Sequence, residues 1–192
     1  MNHLMIDIET LGTNINAPIA SIGAVFFEPS TGCTGARFYL RVNFENDMLN
    51  GATPDGGAIK FWLKQAREAQ AELVAGDSVS IWEALNQLDS FISENAVPDD
   101  LDFLQVWAKS PTFDCAILRN AYRRSDMECL WKFWNERDYR TICELGGVLG
   151  FNPKTDMAFN GDRHNALDDA VHQALCVSEV WQRLTADKEP ML

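Results

Sequence analysis

Four acidic residues and one histidine have side chains that could share one chemical task. Asp7 and Glu9 are two positions apart near the N-terminus, Asp114 stands alone in the second half, and His164 and Asp169 lie close together near the C-terminus. Carboxylate oxygens are the ligands that Mg²⁺ prefers. A histidine has its pKa near working pH, which suits a general base. Brought together, these residues could bind divalent cations and activate water.

Asp7 and Glu9 belong to a strand predicted over residues 2–9, which determines where their side chains point. Residues two apart in a strand point to the same face, so Asp7 and Glu9 should lie side by side, where they repel each other and resist burial. A bound cation removes both penalties, although an exposed acidic strand end is an alternative. Gly12 can turn the chain away cheaply. The pair would then lie at an open end of the sheet, where ligands of α/β proteins tend to bind.

The remaining three residues each have a structural alternative. Asp114 follows a predicted strand, and an acid in the first turn of the next helix is favoured by the helix dipole. Asn165 can cap the last helix, so Asp169 could also be a dipole-favouring acid, with His164 a surface residue before it. None of them establishes a site alone. Their order and spacing, taken with the first pair, indicate one.

The elements that must position these residues follow from hydrophobic period and turn signals. Strands are predicted over 2–9, 20–27, 38–44 and 104–108. Short connections among the first three favour an antiparallel meander. Helices are predicted over 59–73, from Ser80 to about 93, from Pro111 onward, over 141–149 and over about 166–184. This order predicts an α/β layer structure with a mixed sheet.

The composition predicts one globular domain. The 192 residues suit a single domain over 1–185 with a short C-terminal tail at 186–192. No apolar run reaches the roughly 18 residues of a membrane span, and the N-terminus lacks a signal-peptide pattern. The five cysteines are odd in number and form no CxxC pair. They argue against a disulfide framework or a zinc site and favour the cytoplasm.

A net charge of −12 argues at first sight against nucleic-acid binding. Two Mg²⁺ ions on the four acids would bring it to −12 + 4 = −8. Residues 119–140 hold six bases against four acids, which is either a solvated mixed surface or a phosphate track. The balance predicts weak, local contact with nucleic acid rather than a long electrostatic footprint.

Three motifs resemble those of one enzyme family. They are Asp-x-Glu-Thr-x-Gly at 7–12, Phe-Asp at 113–114 and His-x-x-x-x-Asp at 164–169. They resemble the DEDDh family of 3′–5′ exonucleases, over almost the whole chain, and imply a ribonuclease H-like fold. Segments 61–65 and 137–141 look most like the mycobacterial and prophage-type exoribonuclease-like branch. Ser110 departs from many relatives, which have an asparagine there, and Asp168 falls one position short of the family's last acid.

The resemblance implies a mechanism. The metal ligands would be Asp7, Glu9, Asp114 and Asp169, holding two divalent cations, Mg²⁺ or Mn²⁺. His164 would take a proton from the attacking water, and a nucleoside 5′-monophosphate would leave the 3′ end of single-stranded RNA or DNA, or of a 3′ overhang. A chelator should abolish such activity, and the metal should be lost as pH falls, because the carboxylates must be ionised.

Recognition of the terminal nucleotide would fall to residues that follow the first acidic pair. The resemblance implies Thr10, Leu11 and Gly12 as contacts to the last sugar and base. Trp62 could stack a base, or could equally be a core residue, since apolar residues stand three positions before it and one after it.

Several alternatives stay open at this point. The same metal site could serve an RNase H-like endonuclease or a phosphodiesterase of very short oligonucleotides. A non-catalytic module with surface acids is a further reading. Many relatives dimerise, and Trp131 and Trp134 beside Arg137 could belong to a homodimer surface.

Overall fold

The fold is built on one mixed sheet. The structure, a computed structural model, describes residues 1–97 and 101–186. The strands are β1 (His3–Thr10), β2 (Ile19–Glu28), β3 (Cys33–Arg41), β4 (Gln105–Ala108) and β5 (Glu136–Asp138). Their order is β3-β2-β1-β4-β5, with β1, β2 and β3 antiparallel and β4 and β5 parallel to β1. The predicted meander and mixed sheet are confirmed.

Helices flank this sheet. They are α1 (Phe44–Leu49), α2 (Gly56–Trp62), α3 (Arg67–Leu73), α4 (Ile81–Asn95), α5 (Asp114–Arg124), α6 (Tyr139–Val148), α7 (Pro153–Asp156) and α8 (Ala166–Thr185). None of the described helices is both long and apolar enough to cross a membrane. The tail predicted at 186–192 lies outside the described residues except for Ala186.

Two predicted elements were wrong in extent. The third strand ends at Arg41, and α1 begins at Phe44, because the Asn43 side chain accepts a hydrogen bond from the backbone of Asn46 and caps the helix. The helix predicted over 59–73 is two helices. The amide of Gln70 donates to two carbonyls at the break between them, at 3.3 and 2.9 Å, so the interruption leaves fewer backbone groups unsatisfied.

Strand β1 divides the core because its side chains alternate. Leu4, Ile6 and Ile8 face α4 and α5, whereas Met5 faces α6 and α8. Asp7 shares the face of Met5, so the alternation aims the first acid at α8. The sheet therefore buries both faces and leaves one end of β1 free to present polar side chains.

A glycine allows α8 to reach the sheet. Gly23 pairs with Asp7 across β1 and β2. A Cβ atom built at Gly23 would lie 2.2 Å from the backbone of Ala166 and Leu167, closer than any real contact. Only glycine lets the start of α8 pack on β2 at this point. The close approach brings the first turn of α8 beside the end of β1.

Candidate active site

The carboxylates of three predicted ligands converge where β1 ends. Asp7 is 8% exposed, and Glu9 lies on the same strand face. Asp169 enters from the first turn of α8. One carboxylate oxygen from each of the three lies within 4.8 Å of the others. The structure therefore brings together residues that are far apart in the sequence, in an all-oxygen set that fits a hard divalent cation.

The geometry also distinguishes two neighbouring acids at the start of α8. Asn165 caps the helix by accepting from the backbone N–H groups of Leu167 and Asp168. The side chain of Asp168 accepts from the backbone of Asp162 at 2.8 Å and so braces the preceding loop. Asp169, not Asp168, takes part in the oxygen cluster. This arrangement supports the choice of Asp169 as the ligand.

Asp114 lines the same cavity, which has a volume of about 460 Å³, but stands beside the oxygen cluster. It is 3% exposed and accepts from the backbone N–H groups of Ile8 and Ser110 at 3.4 and 3.3 Å. Pro111 lies in the turn before α5, not in its first helical turn as predicted, because α5 begins only at Asp114. Burial raises the pKa of Asp114 to about 6.

The acids are costly to keep together as anions. Burial, followed by the charge of Asp7, raises the pKa of Glu9 to about 9. Burial, followed by the charges of Asp114 and Asp169, also raises the pKa of Asp7 well above its ordinary value. A cation among these oxygens would reverse both effects. The donor atoms, their spacing and their mutual repulsion all fit a divalent metal.

Hydrogen bonds from the protein hold one oxygen of each of two acids. The Gln173 side chain, 2% exposed, donates to Asp7 Oδ1 at 2.7 Å. The backbone N–H of His164 donates to Asp169 Oδ2 at 2.9 Å. Such donors fix the orientation of carboxylates that ligate metals. Sequence analysis missed Gln173, whose partner Asp7 is 166 positions away.

His164 lies in a strained position at the mouth of the cavity. Its φ of 67° places a non-glycine residue in the left-handed region, a feature that is concentrated at functional sites. Its ring packs edge-to-face on Phe61 and Trp62 of α2, with centroids 5.2 and 5.9 Å apart. The ring is therefore held beside the acids by a helix that carries none of them.

Comparison with known proteins decides the family. A family model described as the 3′–5′ exoribonuclease Rv2179c-like domain matches residues 2–181. The chain belongs to the Rv2179c-like exoribonuclease family. The predicted 3′–5′ exonuclease activity is thereby confirmed, and the reading as a non-catalytic module is wrong.

Solved structures show the fold of this Rv2179c-like domain. The nuclease domain of 3′hExo, a DEDDh family member bound to rAMP, matches with a TM-score of 0.61 and 13% identity, covering 94% of this chain and 92% of that one. The Escherichia coli ExoI–ssDNA complex in its zinc-bound form matches with a TM-score of 0.65 and 15% identity, covering 96% of this chain and 41% of ExoI. The ribonuclease H-like fold is confirmed. No curated protein matches the sequence.

The substrate residues predicted for the Rv2179c-like domain are divided between two cavities. Thr10 and Gly12 line a cavity of about 300 Å³ next to the acids, whereas Leu11 lines a separate apolar groove. Trp62 borders both, but it is 4% exposed and its indole donates to the Thr10 carbonyl at 2.8 Å. The structure therefore favours a packing role for Trp62, and base stacking by this residue stays a prediction.

Sequence analysis missed two phenylalanines that line the site. Phe61 is 44% exposed, and both Phe61 and Phe113 line the acidic cavity and the adjoining 300 Å³ cavity. Both residues belong to motifs described above, the segments 61–65 and 113–114. The sequence analysis assigned functions to their neighbours Trp62 and Asp114 instead, because a sequence pattern does not show which aromatic ring is exposed.

Sequence analysis missed two cations at the site, Lys109 and Arg163, whereas the third, Arg140, is one of the six bases of residues 119–140. Lys109, Arg140 and Arg163 line the cavity that holds the acids. Within the described part of the chain none of them forms a salt bridge. Of the bases that the sequence places at 119–140, Arg140 is the one that lines this cavity.

One predicted dimer contact is wrong. Trp131 is 1% exposed, and its indole donates to Glu136 at 3.1 Å, so it belongs to the core and cannot form a surface. Trp134 is 61% exposed and remains compatible with the predicted homodimer. That assembly stays a prediction.

Proposed function

We propose that this exonuclease removes nucleoside 5′-monophosphates from the 3′ ends of single-stranded nucleic acid or overhangs, and that it prefers RNA to DNA. The observation that carries the proposal is the convergence of oxygens from Asp7, Glu9 and Asp169 within 4.8 Å. The family's description as an exoribonuclease supports RNA. The site lies in a protein that we propose works in the cytoplasm.

The acids would hold two divalent cations, Mg²⁺ or Mn²⁺. Asp7, Glu9 and Asp169 would be direct ligands, and Asp114 would support the site beside them. When bound, the cations supply positive charge that stabilises the entering and leaving oxygens of the phosphodiester. His164 accepts a proton from the attacking water, with its backbone fixed to Asp169.

The three cations that line the cavity counteract the repulsion between its acids and a phosphate. A phosphate approaching the acids would be repelled by them, whereas Lys109, Arg140 and Arg163 attract it to the same cavity. Arg163 also stacks over the Phe159 ring, 4.7 Å from its centroid, which limits its freedom. We assign these three residues to the phosphates around the bond that is cleaved.

The 300 Å³ cavity beside the acids is the proposed nucleoside pocket, defined by Thr10, Gly12, Phe61 and Phe113. It shares Glu9, Phe61 and Phe113 with the active-site cavity, so a nucleoside in it would place its phosphate near the acids. Aromatic rings can stack any base, which suits an enzyme that must accept every sequence.

Replacing Phe61 by alanine is expected to raise KM for an oligonucleotide by about 5- to 150-fold, the equivalent of roughly 1–3 kcal/mol per stacked base. The exposed ring at the nucleoside pocket is removed, while kcat should change less. Steady-state kinetics measure both constants. Phe133→Ala, which removes an exposed ring elsewhere, is the matched control. Equal effects of the two substitutions would contradict the stacking role.

Metal binding is expected to stabilise the fold. A cation at 100 times its Kd contributes about 2.7 kcal/mol, which for a chain of this size corresponds to roughly 5–10 °C in Tm. Differential scanning fluorimetry with Mn²⁺ and then excess chelator measures the shift and its reversal. An Asp169→Asn variant should show little shift, because it lacks one of the clustered oxygens. An unchanged Tm of the wild-type chain would count against the metal site.

Digestion of matched 5′-labelled RNA and DNA strands tests the proposed function. We expect a ladder of products shortened from the 3′ end in the presence of Mg²⁺ or Mn²⁺, with RNA degraded faster. A blocked 3′ hydroxyl should slow it. Internal cuts that ignore the block would indicate the endonuclease alternative instead, and activity restricted to the shortest strands would indicate the phosphodiesterase.

A further inference from the structure

Two cavities adjoin the active-site cavity on sides other than the nucleoside pocket. The α6 cavity, about 440 Å³, is lined by Arg140, Glu144, Gly147, Asn152 and Lys154 among others, and shares Arg140 with the active site. The α3 cavity, about 500 Å³, shares Arg163 and His164 with the active site. A strand whose last nucleoside fills the nucleoside pocket must leave the acids in another direction, so these two cavities are its candidate exits.

Charge separates the two exits. The α3 cavity is lined by Glu68, Glu72 and Asp162 against one base, Arg163. Glu72 is engaged by Arg41, but the other two acids form no salt bridge in the described ranges. A polyanion entering this cavity would meet mainly negative charge.

The α6 cavity has the opposite balance. Arg140 and Lys154 face one acid, Glu144, and neither base forms a salt bridge with any residue that the structure describes. The side-chain oxygen of Asn152 accepts from the backbone of Lys154 at 3.1 Å. Its side-chain N–H₂ makes no hydrogen bond to the described protein, so it is a third donor available at this cavity.

We propose that the α6 cavity binds the phosphate that lies one nucleotide upstream of the bond being cleaved. Arg140, shared by both cavities, spans from the active site to this upstream phosphate, and Lys154 and Asn152 complete its donors. This inference rests on the proposed exonuclease function. It assigns a role to the 137–141 segment, which contains none of the metal ligands.

Gly147 offers a test that removes no binding group. It lies on α6 at the cavity wall, and a Cβ atom built there has no atom within 4 Å, so a side chain fits without a clash. Glutamate, glutamine and lysine at this position have similar helix propensities, all better than that of glycine. The three variants therefore place −1, 0 or +1 at the cavity in a fold that should remain stable.

The experiment compares a dinucleotide with a free 5′ hydroxyl, whose one phosphate is the scissile one, with the matching trinucleotide, which adds the upstream phosphate. The readout is the ratio of KM for the trinucleotide to KM for the dinucleotide. Gly147→Glu should raise this ratio by about two- to fivefold over Gly147→Gln, and Gly147→Lys should lower it, as expected for exposed charge contacts. Lys154→Ala should raise the ratio as well. Gly76, also free of neighbours within 4 Å, lines none of these cavities and gives the control charge series.

The upstream site is supported if the KM ratio falls from glutamate to glutamine to lysine at Gly147 and does not change across the same series at Gly76. A KM ratio that does not depend on the charge at Gly147 overturns the upstream site. An equal change of the ratio at Gly76 also overturns it, because that change would report the net charge of the protein alone. Failure of the wild-type chain to hydrolyse these substrates and to shorten the labelled RNA and DNA strands overturns the proposed function, and the inference falls with it. Hydrolysis with a flat series overturns only the upstream site.

Discussion

An Asp7→Asn variant is expected to lose at least about 10²-fold in kcat, since even groups behind the metal ligands commonly contribute 10- to 100-fold. Asp7 is central to the acidic site, because it lies within reach of both Glu9 and Asp169 and its charge helps to raise the pKa of Glu9. The amide of Gln173 can still donate to the asparagine oxygen. The substitution therefore removes charge with little change in packing.

The same variant should fold normally and, without metal, be at least as stable as the wild-type chain. Burial raises the pKa of Asp7, so its ionisation at neutral pH opposes folding, and asparagine removes that cost. Thermal unfolding with chelator checks this. Asp89→Asn, at a partly buried aspartate that accepts from Tyr122, is the matched control and should stay active. A folded Asp7→Asn enzyme with normal turnover would refute the metal role.

Replacing His164 by alanine is expected to lower kcat by about 10²–10⁴-fold, the usual contribution of a general base. Metal binding should persist, because the contact from this residue to Asp169 comes from its backbone N–H, not its ring. Calorimetric titration with Mn²⁺, set beside steady-state kinetics, separates the two properties. The loss should appear in kcat more than in KM.

His172→Ala serves as the control for this change. His172 lies on α8 against Phe159 and Cys176 and has no assigned catalytic role. Its removal should alter kcat by less than tenfold. A decrease below tenfold for His164→Ala would show that another group accepts the proton, and loss of Mn²⁺ binding in that variant would show that its effect is on the metal site.

The sequence was most informative where functional residues lie in segments with a clear strand alternation or a helix cap. Alternation along β1 predicted that Asp7 and Glu9 share a face, and the cap at Asn165 predicted where α8 begins. Both are short-range properties, which neighbouring residues determine. The three motifs then identified the acids, and the structure places Asp7, Glu9 and Asp169 together.

Features that depend on distant contacts could not be predicted in this way. Gln173 acquires its role only because α8 docks on β1, and Phe61 is exposed only because α2 turns its neighbour Trp62 inward. The cations around the site come from separate loops and helices. Strand β5 has three residues, too few for an alternating pattern to be recognised.

The bare backbone at Gly23 has a consequence for biosynthesis. It is the docking point for α8, which brings Asp169 to acids made about 160 residues earlier in translation. A ribosome-bound chain that lacks this helix has no complete cluster of oxygens. Exonuclease activity should therefore appear only after α8 has left the ribosome and packed onto the sheet.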